Sequence, residues 1–331
     1  MMRRRRPRSD PEAARREASL RAIESGGLPL AAEERLTKSR ADGRAFTSDL
    51  STAEFLLLRE AGFRPLEQVM GTCVYQKGFQ YMPGTRRPMT YVQEGVKAAG
   101  GGYSAGFEYD QFGRRVYQRA TFGQVFELDT ESEAWREARR LALSRLAAEA
   151  RLAGAQAVVG VHLRRDDREW GSNLIEFRAV GTAVASERYD LGEEPVLSSL
   201  SGQEFAALYA AGYWPVGLVV GTTVIYVMTG STQKWTMGRF TPNSELQDYT
   251  QGVQHARKVA LSHVARDARE LDAAGVVGLV LDVSRREHEH EGTWSRKQRD
   301  MIVTVHALGT AIVELERHAP APPISIALSL D

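Results

Sequence analysis

Residues 50–72, LSTAEFLLLREAGFRPLEQVMGT, return at 200–222 as LSGQEFAALYAAGYWPVGLVVGT. A constant shift of 150 places Leu50-Ser51 on Leu200-Ser201, Glu54-Phe55 on Glu204-Phe205, Ala61-Gly62 on Ala211-Gly212, Pro65 on Pro215 and Gly71-Thr72 on Gly221-Thr222. So many matches without a gap identify an internal duplication. Both copies carry the same local signals. Ser51 before Glu54, and Ser201 before Glu204, have the spacing of a capping box. Leu50 and Leu200 stand where a hydrophobic staple would. Each short helix is expected to stop at Gly62 or Gly212, where glycine takes the left-handed cap conformation. A strand follows, at about Arg64 to Val69 and Val216 to Val220. Gly71 and Gly221 then read as a turn or bulge before another strand.

A second block repeats at a shift of 118, with Ala138–Ser144 on Ala256–Ser262 and Ala155–Gly160 on Ala273–Gly278. A third, at 128, sets Ala179–Ala183 on Ala307–Ala311. The changes of shift locate 32 extra residues before the long helix of repeat one and 10 in the last hairpin of repeat two. Trp135, Ala138, Ala142 and Leu146 recur at helical spacing, as do Val253, Ala256, Ala260 and Val264, so each long helix lays one face on a sheet. Strands are expected at Ala157–Leu163 and Gly278–Val283, then at Leu174–Ala185 and Met301–Leu315. The fold class is α+β: tandem duplicated small domains, each an antiparallel sheet with one long helix and one short N-terminal helix. The sheet face away from the helix must find another partner. The divisions are a basic flexible arm at 1–45, repeat one at 47–186 with its insertion around 78–123, and a linker at 187–196. Repeat two follows at 197–316, and a tail at 317–331 that could add an edge strand through Ile324–Leu330.

Composition narrows the function classes. The chain has 331 residues, a formal charge of +1 and one cysteine, so no intrachain disulfide and no CxxC metal site is expected. A reducing, cytoplasmic setting fits that count. The basic start has no apolar run after it and does not read as a secretory signal. Ala206 to Gln233 lacks charge, but Gly212, Gly217, Gly221 and Pro215 interrupt it. Its counterpart in repeat one carries Arg64 and Glu67, so buried strands are expected rather than a membrane span.

The second block brings in a resemblance. Leu246-Gln247-Asp248-Tyr249 leads into Ala256-Arg257, Ala260-Leu261, Ala265, Ala268 and Leu271, then Ala273, Val276-Val277-Gly278 and Leu308-Gly309-Thr310-Ala311. Repeat one answers with Glu137-Ala138-Arg139, Gly154–Gly160 and Val180–Val184. Both resemble the YbjQ-like family of bacterial heavy-metal-binding domains over about two thirds of the chain. The resemblance implies ring-like oligomers of a small domain. A tandem copy, a long insertion and a basic arm depart from that form.

Candidate sites are few. His288 and His290 in His288-Glu289-His290-Glu291 share a side if extended and could give a metal two imidazoles, fewer than the three or four ligands zinc takes. Arg285, Arg286, Lys297 and Arg299 equally make this a solvated, mixed-charge hairpin. Cys73 reads as a buried structural thiol. His255 and His263 have no histidine counterparts in repeat one and read as helix surface. The insertion mixes aromatics with arginines, including Arg86, Arg87, Tyr103, Tyr109, Arg114 and Arg115, residue types that stack on bases or anchor protein partners. The plainer reading is a long hairpin and loop packed on its own domain. Arg3, Arg4, Arg5 and Arg6 add a local basic patch that would suit a protein partner or nucleic acid. Trp214 and Trp235 flank the apolar hairpin of repeat two and Trp294 lies in its last hairpin; this uneven placement of bulky aromatics suggests surfaces that diverged after duplication.

No nucleophile elbow, Walker loop, dinucleotide fingerprint or HExxH zinc motif occurs, and Gly100-Gly101-Gly102-Tyr103 lacks the Lys-Ser/Thr of a phosphate loop. No catalytic residues and no cofactor are assigned. The leading expectation is an oligomeric structural or macromolecular-interaction protein without catalytic activity, self-associating and free of membrane spans. A metal- or small-ligand-binding module is the second reading and an enzyme the third.

Overall fold

The computed structural model describes residues 11–41, 46–78, 106–109, 115–118, 124–168, 174–187, 192, 194–228, 245–291 and 297–315. Both capping boxes form. Ser51 N donates to the Glu54 carboxylate at 2.7 Å while Ser51 Oγ accepts from Glu54 N at 3.3 Å, and the Ser201–Glu204 pair repeats this at 2.8 and 3.2 Å. They open α3 (Thr52–Glu60) and α5 (Gly202–Ala210). Such caps stabilise a helix by about 1 kcal/mol each. Gly62 and Gly212 follow at φ +86° and +84°.

Each short helix feeds one unbroken strand, β1 (Phe63–Gln76) and β8 (Tyr213–Met228). The turn expected at Gly71 and Gly221 is absent, because glycine there answers a packing demand. A Cβ on Gly71 would stand 1.9 Å from Ala142 O, and one on Gly221 1.9 Å from Ala260 O. The long helices α4 (Asp129–Leu152) and α6 (Gln247–Glu270) therefore rest their backbones directly on the strands. Ala138, Ala142, Leu146 and Ala150 of α4 are fully buried, as are Ala256 and Ala260 of α6.

The remaining strands are β2 (Gly106–Tyr109), β3 (Arg115–Gln118), β4 (Gln124–Glu127), β5 (Ala157–Arg168), β6 (Leu174–Ser186), β7 (Val196–Leu197), β9 (Gly275–Glu291) and β10 (Lys297–Glu314). They form a four-stranded sheet, β1-β6-β5-β7, and a six-stranded sheet, β2-β3-β4-β8-β10-β9. Neighbours are antiparallel except β7, which the linker adds to β5 in parallel. The strands of the insertion and β4 after it pair with the sheet of the second repeat, while Phe126 of β4 packs in the core of repeat one. β4 pairs with β8, from Gln124↔Met228 to Glu127↔Ile225, and carries β3 and β2 onto the second repeat's sheet. Sequence adjacency names a strand's repeat but not which sheet edge lies within reach.

The motif residues of the third block serve packing. A Cβ on Gly181 or Gly309 would lie 2.7 or 2.8 Å from Val158 Cγ1 or Val276 Cγ1, which are themselves counterparts. Thr182 Oγ1 donates to Asp49 at 2.6 Å, and Thr310 Oγ1 accepts from Ser199 N at 2.9 Å. Each threonine thus ties its last strand to the chain entering the short helix. Beyond those helices, Phe63, Phe205, Tyr209 and Trp214 cluster with ring centroids 5.1–6.1 Å apart. Trp214, unmatched in repeat one, is spent on contact between the repeats.

The arm, expected to be flexible with partial helix at most, holds two helices. Residues Pro11–Glu24 and Leu30–Ala41 form α1 and α2. Leu28 and Leu36 are buried at 4% and 1% exposure, which anchors the pair. The Arg145 guanidinium holds Ile23 O and Gly27 O at 3.3 Å and Thr72 O at 2.5 Å, joining arm, helix and strand. Two apolar anchors in a polar segment are too few to register in composition. No helix among the described residues is long and apolar enough to cross a membrane.

Candidate assembly interface

The six-stranded sheet has two differently covered faces. Val219, Ile225 and Val227 of β8, with Val303, Val305 and Ala307 of β10, pack under α6. The alternate residues point the other way, as strand geometry requires. Val224, Tyr226 and Ile302 join the core of repeat one, with Trp135 of α4 and Phe177 of β6. The start of α4 is thus held between the two sheets.

Polar groups fix its register on β8. Leu128 N, just ahead of α4, donates to Val224 O at 2.8 Å. Val224 N donates back to Ser132 Oγ at 2.9 Å. Arg139 donates to Thr222 Oγ1 at 2.7 Å, and Thr223 Oγ1 donates to Glu127 at 3.2 Å. Arg286 of β9 reaches the buried Glu131 at 2.5 Å, and Arg165 pairs with Asp282 across the sheets. Burial lowers the Arg139 guanidinium to about 10, with nearby Asp267 opposing the shift.

His306 lies at the centre, 8% exposed. Its ring meets Trp135 and Phe177 edge-on at 5.3 and 6.1 Å, and Nδ1 lies 3.1 Å from Thr222 Oγ1. Burial, then the charges of Arg165 and Arg139, hold its imidazole well below the usual histidine range. The neutral ring therefore belongs to the docked state. At least one nitrogen can accept a proton, so acid opposes docking.

The corresponding face of the four-stranded sheet is exposed along β1, while Glu176, Arg178 and Val180 beside it are half-buried. Val74 occupies the place of Val224, yet it is 65% exposed where Val224 is fully buried. Met70 is 48% exposed where its counterpart Val220 is 6% exposed. The expectation that the helix-free sheet face needs a partner is met on one sheet, by the other repeat, and not on its twin.

Two constellations escaped the sequence reading. Glu149 and Asp267, equivalent at the shift of 118, accept backbone amides from Met70 at 2.9 Å and Val220 at 3.3 Å. An acid at matched helical positions was the available signal. Arg145 and His263 are likewise equivalent, and each bonds the backbone of a matching threonine, Thr72 or Thr222. His263 is therefore half-buried beside Arg136 rather than helix surface. Burial and the charges of Arg136 and Arg266 lower its imidazole.

The predicted site residues scatter. His288 lies with its ring 5.8 Å from Tyr226, whose hydroxyl donates to the fully buried Asp300 at 2.6 Å. Burial, then Asp300, pushes the Tyr226 phenol far up, which keeps it a donor. His288 faces Asp300 in the β9–β10 register and His290 faces Gln298, but the His290 side chain lies outside the described residues. Tyr109 and Arg115 face each other across β2 and β3. Arg3, Arg4, Arg5, Arg6, Arg86, Arg87, Tyr103 and Arg114 lie outside the described residues, as do Trp235, Trp294 and the tail run Ile324–Leu330. In the described arm, Arg15, Arg16, Arg21 and Arg35 pair with Glu34, Glu12, Glu17 and Glu149.

Among the described residues no three of His, Cys, Asp or Glu converge. Cys73 is buried in the core, its thiol pushed up by burial against the opposing charge of Arg145. His288 and Asp300 both contact Tyr226.

The comparisons agree with the duplication. The model of the YbjQ family, described as “Putative heavy-metal-binding”, matches twice, at residues 121–187 and 215–314. An encapsulin nanocompartment protein of Mycobacterium tuberculosis (strain ATCC 25618 / H37Rv) is 33% identical over 270 residues, covering 79% of this chain and 86% of the relative. No solved structure matches significantly. Two family matches, at residues 121–187 and 215–314, place this chain in the YbjQ family, as a tandem member.

Proposed function

We propose that this chain is a structural subunit that associates with its own copies, as a component of a protein compartment, and carries out no catalysis. The observation that supports this most is the unequal covering of two equivalent faces. One sheet hides Val224 in the core of the neighbouring repeat and keeps Val220 buried, and its twin presents Val74 and Met70. Exposed apolar residues at a position built for burial mark an association surface. The similarity to an encapsulin nanocompartment protein points the same way. The heavy-metal description of the family finds no converging donors among the described residues to support a second reading.

Mass measurement of the purified full chain, by light scattering and native mass spectrometry, tests this reading. Discrete multiples of the 36.7 kDa subunit are expected. Electron microscopy should then show closed particles or regular stacks. A subunit that stays at single mass at tens of micromolar would overturn the proposal.

A further inference from the structure

The contact between repeats is heterologous, since the start of α4 and β4 from one dock on the sheet of the other. The residues that form both surfaces recur at the equivalent positions of the other repeat. On repeat two, Leu246 ahead of α6 has φ −85° and ψ 85°, against −86° and 80° for Leu128 ahead of α4. Thr250 keeps the hydroxyl of Ser132, and Arg257 keeps the guanidinium of Arg139, all at the shift of 118. Thr250 and Arg257 are exposed.

On repeat one, Val74 and Thr72 stand in for Val224 and Thr222 at the shift of 150. The strand register agrees, since Val74 faces Glu176 and Val224 faces its counterpart Thr304. Among the described residues β1 ends its sheet, whereas β8 carries β4. The backbone groups of Val74 thus face outward from β6, as those of Val224 face outward from β10.

We propose that a second copy of this chain docks the start of its α6 on the face of the four-stranded sheet exposed along β1. Leu246 N donates to Val74 O, Val74 N donates to Thr250 Oγ1, and Arg257 donates to Thr72 Oγ1. Within one chain this cannot occur, because α6 and the four-stranded sheet lie on opposite faces of the six-stranded one. The contact is head-to-tail, so copies form a ring if the rotation closes and a stack if it does not. The N-terminal pair sits at the entry. Arg35 holds Glu149, the counterpart of Asp267, beside which Arg139 already lies in the existing interface. An incoming Arg257 must share or displace it.

The inference rests on the self-association proposed above, and the test separates the two. In the full chain, Val74→Glu should raise the concentration at half-dissociation at least about tenfold, with circular dichroism unchanged and with the melting midpoint equal to wild type at dilutions where both are single chains. The double variant Val74→Cys/Thr250→Cys, oxidised at concentrations that assemble the wild type, should give a ladder of disulfide-linked chains. Each single variant should give none. An oligomer that survives Val74→Glu and yields no ladder overturns this docking and leaves the assembly reading standing. A wild type that remains single at all concentrations overturns both. Should Val74→Glu fail to fold, the ladder alone decides.

Discussion

Glu149 and Asp267, 118 residues apart, perform one task in two places: each accepts the outward amide of the strand beneath its helix. Glu149 is the more deeply buried, at 4% exposure, and it also holds Arg35 at 3.2 Å. Burial raises its carboxyl, opposed by the Met70 amide and then by Arg35. Glu149→Ala would orphan the Met70 amide and is expected to cost about 1–3 kcal/mol. Glu149→Gln keeps an oxygen for that amide and sheds a charge that burial disfavours, so it should stay within about 1 kcal/mol of wild type. The sign of the pH effect follows. A folded-state value raised above 4.5 gives stability present below the unfolded value and lost as pH rises through the folded one. Urea titrations across that window should show wild type losing stability relative to Glu149→Gln, and the reverse slope would refute the burial argument.

The glycines under the helices offer a sharper test of the packing. Gly71→Ala and Gly221→Ala each place a methyl 1.9 Å from a helix carbonyl, where only backbone movement gives relief. Each should cost about 3 kcal/mol or more, the upper range for overpacking. Gly160→Ala meets no atom within 4 Å but sits at φ +65°. It should cost only about 1–2 kcal/mol of left-handed strain. Melting midpoints of the three variants would rank them. Equal losses would mean that the helices do not rest where the structure puts them.

How much of this could be read beforehand is decided by the same glycines. Residues that act locally were legible: the capping boxes at Ser51 and Ser201, the caps at Gly62 and Gly212, and the stripe from Trp135 to Leu146 all depend on near neighbours in sequence. Gly71 was misread because close approach to a helix and a backbone turn both ask for a missing Cβ. The placement of β4 on β8 was invisible, since strand pairing joins residues about a hundred apart without a local mark. At the interface, Val74 and Val224 are the same residue type in the same repeat position. Their difference in burial is tertiary and leaves no trace in either segment.

Acid should loosen the contact between repeats through His306. Its folded-state value lies well below 6.5, chiefly through burial. The unfolded chain therefore binds more protons between the two values, and stability falls as pH drops below the unfolded one. The slope for one group is at most about 1.4 kcal/mol per pH unit. His263, lowered for the same first reason, adds to it. Unfolding free energies from pH 7.5 to 5 should decline in wild type and decline less in His306→Gln. A flat wild-type profile would show that His306 is not buried as a neutral ring.

The arm supplies the last test, because its two readings predict opposite behaviour. A free segment exchanges its amides at once, whereas α2 anchored by Leu36 at 1% exposure should be protected. Leu36→Ala removes that anchor at a local cost of about 2–4 kcal/mol. Hydrogen exchange should then lose protection over residues 30–38 while the strands around Gly221 stay protected. The same variant frees the face of α4 at Arg145 and Glu149 that Arg35 and Gly27 now cover. If the arm stands where an incoming copy must settle, releasing it should increase the assembled fraction at fixed concentration. A decrease would mean that the arm belongs to the intermolecular contact and completes it.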